Sequence, residues 1–190
     1  MNKAPVLLSF LLWGCVYATQ ETPVNYQYSG PSVSSKSVQA QYGIAVTQVT
    51  DARAMRDPRL ILGLTLNWGG YAAEEPIAEI VRKGIIVALE QAGYSQGNEL
   101  SMECTIGVFD YSSWSGLLSL KKATLDLPIT VTLRRGGEEI SKNTVIGQST
   151  MLKDEISQQS HNEHMVTLFT RSLDDAIFQI VELVNFSVNQ

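Results

Sequence analysis

Two acid–arginine pairs lie close together in the first third of the chain, Asp51 with Arg53 and Asp57 with Arg59. Carboxylates and guanidinium groups at this density could line a polar binding rim at the end of a strand. They could equally pair with one another and order the connection, and structural ion pairs are the commoner cause of such clusters. We therefore predict a local ion-pair network, with a polar binding rim as the alternative.

A second group of residues suited to recognition comprises the aromatic side chains of Phe109, Tyr111 and Trp114. Here the alternation of apolar and polar residues breaks within a serine-rich segment. Tyrosine and tryptophan are frequent anchors of binding surfaces, so the segment could be an exposed contact loop for a partner, a lipid or a glycan. The alternative is that these residues close the open end of the hydrophobic core.

Residue types that could perform catalysis or bind metal are present, but their spacing does not fit either role. His161, Glu163 and His164 have no further strong ligand nearby, unlike the residues of zinc-binding helices. Ser119 and Lys122 match an S-x-x-K pattern whose companion motifs are missing. We therefore predict that the protein is not an enzyme and has no catalytic residue, metal or cofactor.

The beginning of the chain has the pattern of an export signal. Residues 1–3 carry one positive charge, and residues 4–13 form an apolar run that is too short to span a bilayer. A run of this length directly after a basic residue is typical of a signal peptide, which we predict at residues 1–14.

The cleavage site has two alternatives. Leu12, Gly14 and Cys15 fit a bacterial lipobox, in which the cysteine becomes the acylated N-terminus. Trp13 is bulkier than the residue that lipoboxes usually have at this position. The alternative is cleavage after Ala18, which would leave a soluble periplasmic protein. We favour lipidation of Cys15, because a cysteine immediately after an apolar run is otherwise unusual.

An acylated Cys15 would carry three chains, more than the two signals that stable anchoring needs. The next residue is Val16 rather than an aspartate that retains lipoproteins at the inner membrane. We therefore predict the periplasmic face of the outer membrane as the location and the membrane as a partner through the anchor. The formal net charge of −5 and the lack of a long basic tract argue against a nucleic-acid partner.

A polar segment separates the predicted anchor from the domain. Residues 15–41 are rich in Ser, Gln and Thr and show neither helical nor alternating apolar periodicity. We predict a flexible tether, which as a random coil would span about 25–30 Å. The alternative is that Tyr26 and Tyr28 dock on the domain or on a partner.

The remaining residues, 42–190, are predicted to form a single α+β domain. Its order is ββαβββα, with an antiparallel or mixed five-stranded sheet and two long helices packed on one face. Apolar periodicity places the strands near 43–47, 60–68, 100–108, 123–133 and 140–151, and the helices near 76–92 and 163–184.

Individual residues support these elements. Pro76 is suited to the first turn of a helix, and Gly93 to the position just after its end. Pro128 lies within the fourth strand, which indicates an edge or a bulge there. The alternation in the third strand places Cys104 on the core face, as a small apolar residue rather than a nucleophile.

Several short motifs resemble one known family. They are Val49-Thr50-Asp51-Ala52-Arg53 at the end of a strand, Ile61-Leu62-Gly63 after it, and Ala88-Leu89-Glu90-Gln91-Ala92-Gly93-Tyr94 at the end of a helix. With the preceding lipobox and polar segment, the chain resembles the YajG-type family of uncharacterised Gram-negative lipoproteins over about residues 42–185. The resemblance implies a lipid-anchored envelope protein without an established catalytic role.

Together these observations predict a non-enzymatic outer-membrane lipoprotein that presents its domain to an envelope protein. A predicted sheet with helices on one face only leaves its other face to solvent or to a partner. The alternative function is a soluble or anchored binding module for a cell-wall fragment, a lipid or another small ligand.

Overall fold

A computed structural model describes residues 19–21, 23–24, 26–31, 42–55, 57–64, 69–116, 119–157 and 161–189. The predicted signal peptide and Cys15 lie outside these residues and stay predictions. The elements are β1 (Thr19–Glu21), β2 (Gly43–Asp51), β3 (Leu60–Leu64), β4 (Gly69–Ala72), α1 (Ile77–Gln91), β5 (Ser95–Ile106), β6 (Asp110–Gly116), β7 (Ser119–Arg135), β8 (Glu138–Leu152), α2 (Lys153–Ser157) and α3 (His161–Val188).

The main sheet has five strands and is organised around the long strand β7. Strand β8 pairs antiparallel with β7 along one edge, after a tight turn in which Gly136 and Gly137 both have positive φ. Strands β5 and β6 share the other edge of β7, and β2 pairs in parallel with β5. The predicted fold class, α+β with a mixed five-stranded sheet and two long helices, is confirmed.

A bulge separates β5 from β6. Ile106 and Asp110 are four residues apart, whereas their partners on β7, Ile129 and Asp126, are only three residues apart. One extra residue is therefore accommodated between β5 and β6. Pro128 lies on β7 at this point, and its carbonyl oxygen accepts a hydrogen bond of 2.9 Å from the N–H of Gly107. A proline has no N–H to donate to a ladder. The predicted irregularity at Pro128 is therefore confirmed.

A second, smaller sheet contains β1, β4 and β3 in that order. The prediction placed the strand near residues 60–68 in the main sheet, and this is wrong, because β3 pairs antiparallel with β4 in the small sheet. On the other side β1 pairs in parallel with β4, with Thr19 opposite Gly70. Alternating apolar residues identify a strand but do not identify its partner, which explains the difference.

Both long helices lie against the same face of the main sheet. Helix α1 contacts β2 and β5, whereas α3 contacts β7 and β8. Pro76 precedes α1, and Gly93 follows it with a φ of +91°, as predicted.

Cys104 is buried in the core, and burial raises the pKa of its thiol to about 12, which confirms its assignment as an apolar residue. The opposite face carries polar residues such as Thr130 and Thr144.

Candidate functional site

Asp51 and Arg53 form a buried ion pair at the end of β2. The Nε and Nη2 atoms of Arg53 donate hydrogen bonds of 2.8 and 2.6 Å to the two carboxylate oxygens of Asp51, and the backbone N–H of Arg53 donates a third to Oδ1. The side chain of Arg53 is 0% exposed and that of Asp51 is 13% exposed. This two-pronged geometry is the strong form of an arginine–carboxylate contact.

The guanidinium group of Arg53 also connects the two sheets. Its Nη1 atom donates a hydrogen bond of 2.7 Å to the carbonyl oxygen of Leu60 and a longer one to that of Ile61, both on β3. The same group lies 4.3 Å from the ring centre of Phe109, which is in the bulge of the main sheet. Arg53 therefore links β2, β3 and the bulge, and its hydrogen-bonding capacity is used inside the protein.

This environment shifts the pKa of Asp51. Burial alone would raise the pKa, but the hydrogen bonds and the charge of Arg53 together outweigh it, so the pKa lies below its ordinary value. A lowered folded-state pKa means that the ionised carboxylate stabilises the fold above the ordinary pKa of aspartate. That stabilisation is lost as the pH falls through the lowered value.

Asp57 and Arg59 repeat the same arrangement at the surface. The backbone N–H and the guanidinium of Arg59 bind Asp57, with an Nη2–Oδ2 distance of 2.9 Å. Hydrogen bonding by Arg59 lowers the pKa of Asp57. These side chains are about a third exposed. Each arginine thus binds the aspartate two residues before it. The predicted local ion pairs are present, as two separate pairs, and the alternative of a polar binding rim stays a prediction.

The predicted aromatic contact loop is not a loop. Tyr111 and Trp114 lie on β6, opposite Leu125 and Lys122 of β7. Phe109 is 6% exposed, so the structure places it in the core rather than at a contact surface. Trp114 is 61% exposed. Serines suggested a loop in the sequence, but Ser112 and Ser113 lie within β6, opposite Thr124 and Ala123 of β7. Being consecutive, they point to opposite faces of the sheet.

The segment predicted as a flexible tether is partly folded onto the domain, which corrects that prediction for its described residues. Val24 and Tyr28 are buried in the core. The hydroxyl of Tyr26 donates a hydrogen bond of 2.7 Å to Asp174 on α3, and the hydroxyl of Ser29 donates another of 2.7 Å to the same carboxylate. We call residues 23–31 the strap, of which 23–24 and 26–31 are described.

The strap packs against both long helices, next to a glycine of α1. A Cβ atom on Gly84 of α1 would lie 2.6 Å from the ring of Tyr26 and 2.6 Å from Ile177 of α3. Only a residue without a side chain lets the ring approach this closely. Burial and the hydrogen bond to Asp174 raise the pKa of the Tyr26 hydroxyl. The two tyrosines were the only sequence signal for this docking, since the strap lacks regular periodicity.

Replacing Tyr26 by phenylalanine is expected to lower the free energy of unfolding by about 1–2 kcal/mol, because a hydrogen bond to a charged group is lost while the ring remains. Urea unfolding of the variant and the parent chain measures the difference. Tyr42→Phe is the matched control, because the Tyr42 hydroxyl has no hydrogen bond to a described residue. Equal losses in both variants would show that the Tyr26–Asp174 contact does not hold the strap.

Two grooves border α1. One lies between the strap and the helix, has a volume of about 250 Å³, and is lined by residues including Tyr26, Tyr28 and Lys83. The other lies between β2 and the helix, has a volume of about 220 Å³, and is lined by residues including Ile44 and Arg82. Neither groove was apparent in the sequence, because each is formed by segments that are distant along the chain.

In the described part of the chain, no three His, Cys, Asp or Glu side chains come together as metal ligands would. His164 lies near the start of α3 and is buried rather than exposed to solvent. None of the described helices is both long and apolar enough to cross a membrane.

Comparison with solved structures identifies a protein with a similar fold. The structure is similar to the crystal structure of protein XCC0632 from Xanthomonas campestris, assigned to the family DUF330, with a TM-score of 0.60. The two chains are 12% identical, and the match covers 90% of this chain and 98% of the other. At this identity the similarity establishes a shared fold and nothing about function. No protein-family profile and no curated protein matches the sequence.

Two lipoprotein structures are more distant. A minor lipoprotein from Acinetobacter baumannii has a TM-score of 0.40 and is 13% identical over 75% of this chain and 92% of its own. The rare lipoprotein B from Shewanella oneidensis has a TM-score of 0.37 and is 10% identical over 75% of this chain and 99% of its own. TM-scores this low carry no argument about this chain. The resemblance to YajG-type proteins stays a prediction.

Proposed function

We propose that this chain is a non-enzymatic lipoprotein of the bacterial envelope, anchored through Cys15 to the periplasmic face of the outer membrane, where its α+β domain binds another envelope protein. The observation that carries the proposal is the position of Cys15 directly after an apolar run of signal-peptide length. The only other cysteine, Cys104, is buried in the core as a free thiol. Acylation is therefore the most economical use of Cys15.

The docked N-terminal segment changes how such an anchor would hold the domain. Only residues 16–18 separate Cys15 from Thr19, the first residue of β1. Because each residue extends the chain by at most about 3.6 Å, Thr19 would lie within about 14 Å of the anchored cysteine. An anchored domain would thus sit against the membrane surface rather than at the end of a long tether, within reach of other proteins of that surface.

The structure also offers surfaces for a protein partner. The face of the main sheet opposite α1 and α3 presents threonine side chains in register across four strands: Thr50, Thr105, Thr130 and Thr144. Trp114 is exposed at the far end of β6. Such features support a role in binding.

A second candidate function is a binding module for a cell-wall fragment, a lipid or another small ligand. The groove between the strap and α1 favours it, because Tyr26 and Tyr28 line a space of about 250 Å³ together with polar side chains. Cleavage after Ala18 would leave Thr19 as the first residue and keep β1 whole, so a soluble form is compatible with the same fold.

Mass spectrometry of the mature chain, purified from a Gram-negative host, tests the anchor. We expect an N-terminal Cys15 whose mass includes three acyl chains, and we expect Cys15→Ala to abolish recovery of the protein with the outer-membrane fraction. A matched Cys104→Ala variant should remain with the membrane, because that thiol is in the core. A mature chain that begins with an unmodified Thr19 would rule out the lipoprotein and leave the soluble alternative.

A further inference from the structure

Two of the outer strands of the main sheet, β8 and β2, differ in how their free edges are covered. On β8, Asp175 of α3 accepts a hydrogen bond of 2.9 Å from the backbone N–H of Gln148, and Gln179 donates one of 2.9 Å to the carbonyl oxygen of Ile146. Helix α3 therefore satisfies part of this edge. An uncovered strand edge is a template for pairing with another strand, so covering it prevents unwanted association.

Strand β2 forms the opposite edge of the sheet, and its outer side is open among the described residues. It pairs with β5 alone, and no described backbone group bonds to it from the other side. In a parallel pair, alternate residues direct their N–H and C=O groups away from the partner strand. The pairing of β2 is irregular at Thr47 and also between Gly43 and Ile44, and the N–H of Gly43 donates a hydrogen bond of 2.9 Å to the carboxylate of Glu99. The first regular open part of the edge is therefore Ile44–Val46.

A groove lies directly beside this open edge. It has a volume of about 220 Å³ and lies between β2 and α1, with Gln96, Gly97 and Asn98 at the start of β5 completing its lining. Its apolar lining comes from Ile44 and Val46 of β2 and from Ile86 of α1. A strand edge next to a groove between strand and helix is the geometry in which several domains bind extended peptides. Backbone hydrogen bonds then supply affinity, and alternate side chains enter the groove.

Arg82 gives this groove a charge preference. It lines the groove from α1, is exposed, and makes no ion pair or hydrogen bond with any described residue. The next residue, Lys83, lines the other groove and is paired with Glu75 at 2.5 Å. An arginine that is not engaged within the protein matches a carboxylate on a partner, since its planar group binds carboxylates with two hydrogen bonds.

We propose that the groove between β2 and α1 binds an extended peptide segment of another protein, which pairs with the edge of β2 at Ile44–Val46 and places an acidic side chain or a C-terminal carboxylate on Arg82. This site deepens the proposed function by naming its partner chemistry, and it rests on that function for the compartment in which partner and domain meet. Residues 32–41, which precede β2, contain one lysine and no acidic residue, so they do not supply the matching charge.

A peptide array tests the proposal with the full chain purified in detergent. The probes are hexapeptides that alternate Val or Ile with Thr, each made in two forms that differ only in a final glutamate with a free carboxylate or a final amidated glutamine. We expect acid-ended peptides to bind about two- to fivefold more tightly than their neutral copies, because one exposed ion pair is added. Hydrogen exchange of the bound chain should slow at Ile44–Val46.

Charge reversal on α1 distinguishes this groove from the rest of the surface. Arg82→Glu is expected to weaken the acid-ended peptides about tenfold and to abolish their advantage over the neutral copies. Lys83→Glu makes the same change of net charge one residue away and should leave the preference intact.

Four results would overturn the proposal: no binding by any probe, an acid preference that survives Arg82→Glu, a dimer of the chain that pairs through β2, or binding that appears only after residues 32–41 are deleted. The last two assign the edge to a second copy or to the chain's own segment. Peptide binding and acylation of Cys15 are measured separately, so failure of this site is distinguishable from failure of the proposed anchor.

Discussion

Replacing Arg53 by methionine is expected to lower the free energy of unfolding by about 3–5 kcal/mol, the largest loss that we expect from a change of charge in this protein. The substitution leaves the Asp51 carboxylate, whose side chain is 13% exposed, without its partner. It also removes the donor to the carbonyl oxygens of Leu60 and Ile61. Buried groups that lose their partners keep the full cost of desolvation.

The matched control is Arg59→Met, because the second pair has the same sequence spacing and nearly the same hydrogen bonds. Its side chains are about a third exposed, so the expected loss is only about 0–1 kcal/mol. Urea unfolding, followed by circular dichroism, measures both variants. Similar losses at Arg53 and Arg59 would show that burial and the link to β3 do not distinguish the two pairs.

Replacing Gly147 by alanine is expected to destabilise the domain by about 3 kcal/mol, at the upper end of the usual cost of overpacking. Gly147 lies on β8, facing α3. A Cβ atom there would overlap the carbonyl oxygen of Ser172 and would lie 2.6 Å from the Cβ and 2.7 Å from the backbone nitrogen of Ala176. Two of these three atoms belong to the backbone of α3, so a side-chain rotation cannot relieve the overlap.

The overlap lies beside the contacts that cover the edge of β8. Displacing α3 would weaken the hydrogen bond that the N–H of Gln148 donates to Asp175 and the one that Gln179 donates to the carbonyl oxygen of Ile146. Gly107→Ala is the control, because its Cβ would lie 3.0 Å from a side-chain atom of Pro128, and its expected loss is about 1 kcal/mol or less. Thermal or urea unfolding compares the two. A Gly147→Ala variant as stable as the parent would show that α3 is not held this closely against β8.

Local sequence patterns were sufficient for most individual elements. Apolar periodicity identified both long helices, and Pro76 and Gly93 marked the limits of the first, because helix formation and termination depend on residues within a few positions of one another. Strict alternation placed Cys104 in the core for the same reason. The irregularity at Pro128 was predictable because proline cannot donate to a ladder wherever the strand lies.

The candidate site depended far more on tertiary structure. The sequence brought Asp51, Arg53, Asp57 and Arg59 into one predicted cluster, but only the fold buried the first pair and left the second at the surface. Phe109 and Trp114 are five residues apart and appeared equivalent as contact residues. The bulge turns Phe109 into the core and leaves Trp114 exposed.

The sequence by itself thus determined the predicted export signal, the apolar positions, the two long helices and five of the strands, since each depends on residue type and short-range spacing. Tertiary structure decided which strands share a sheet, that residues near Tyr26 pack on α1 and α3, and that the edge of β8 is covered while that of β2 is open. The physical reason is that pairing and burial depend on contacts between distant segments. One pattern of apolar residues is compatible with several such arrangements.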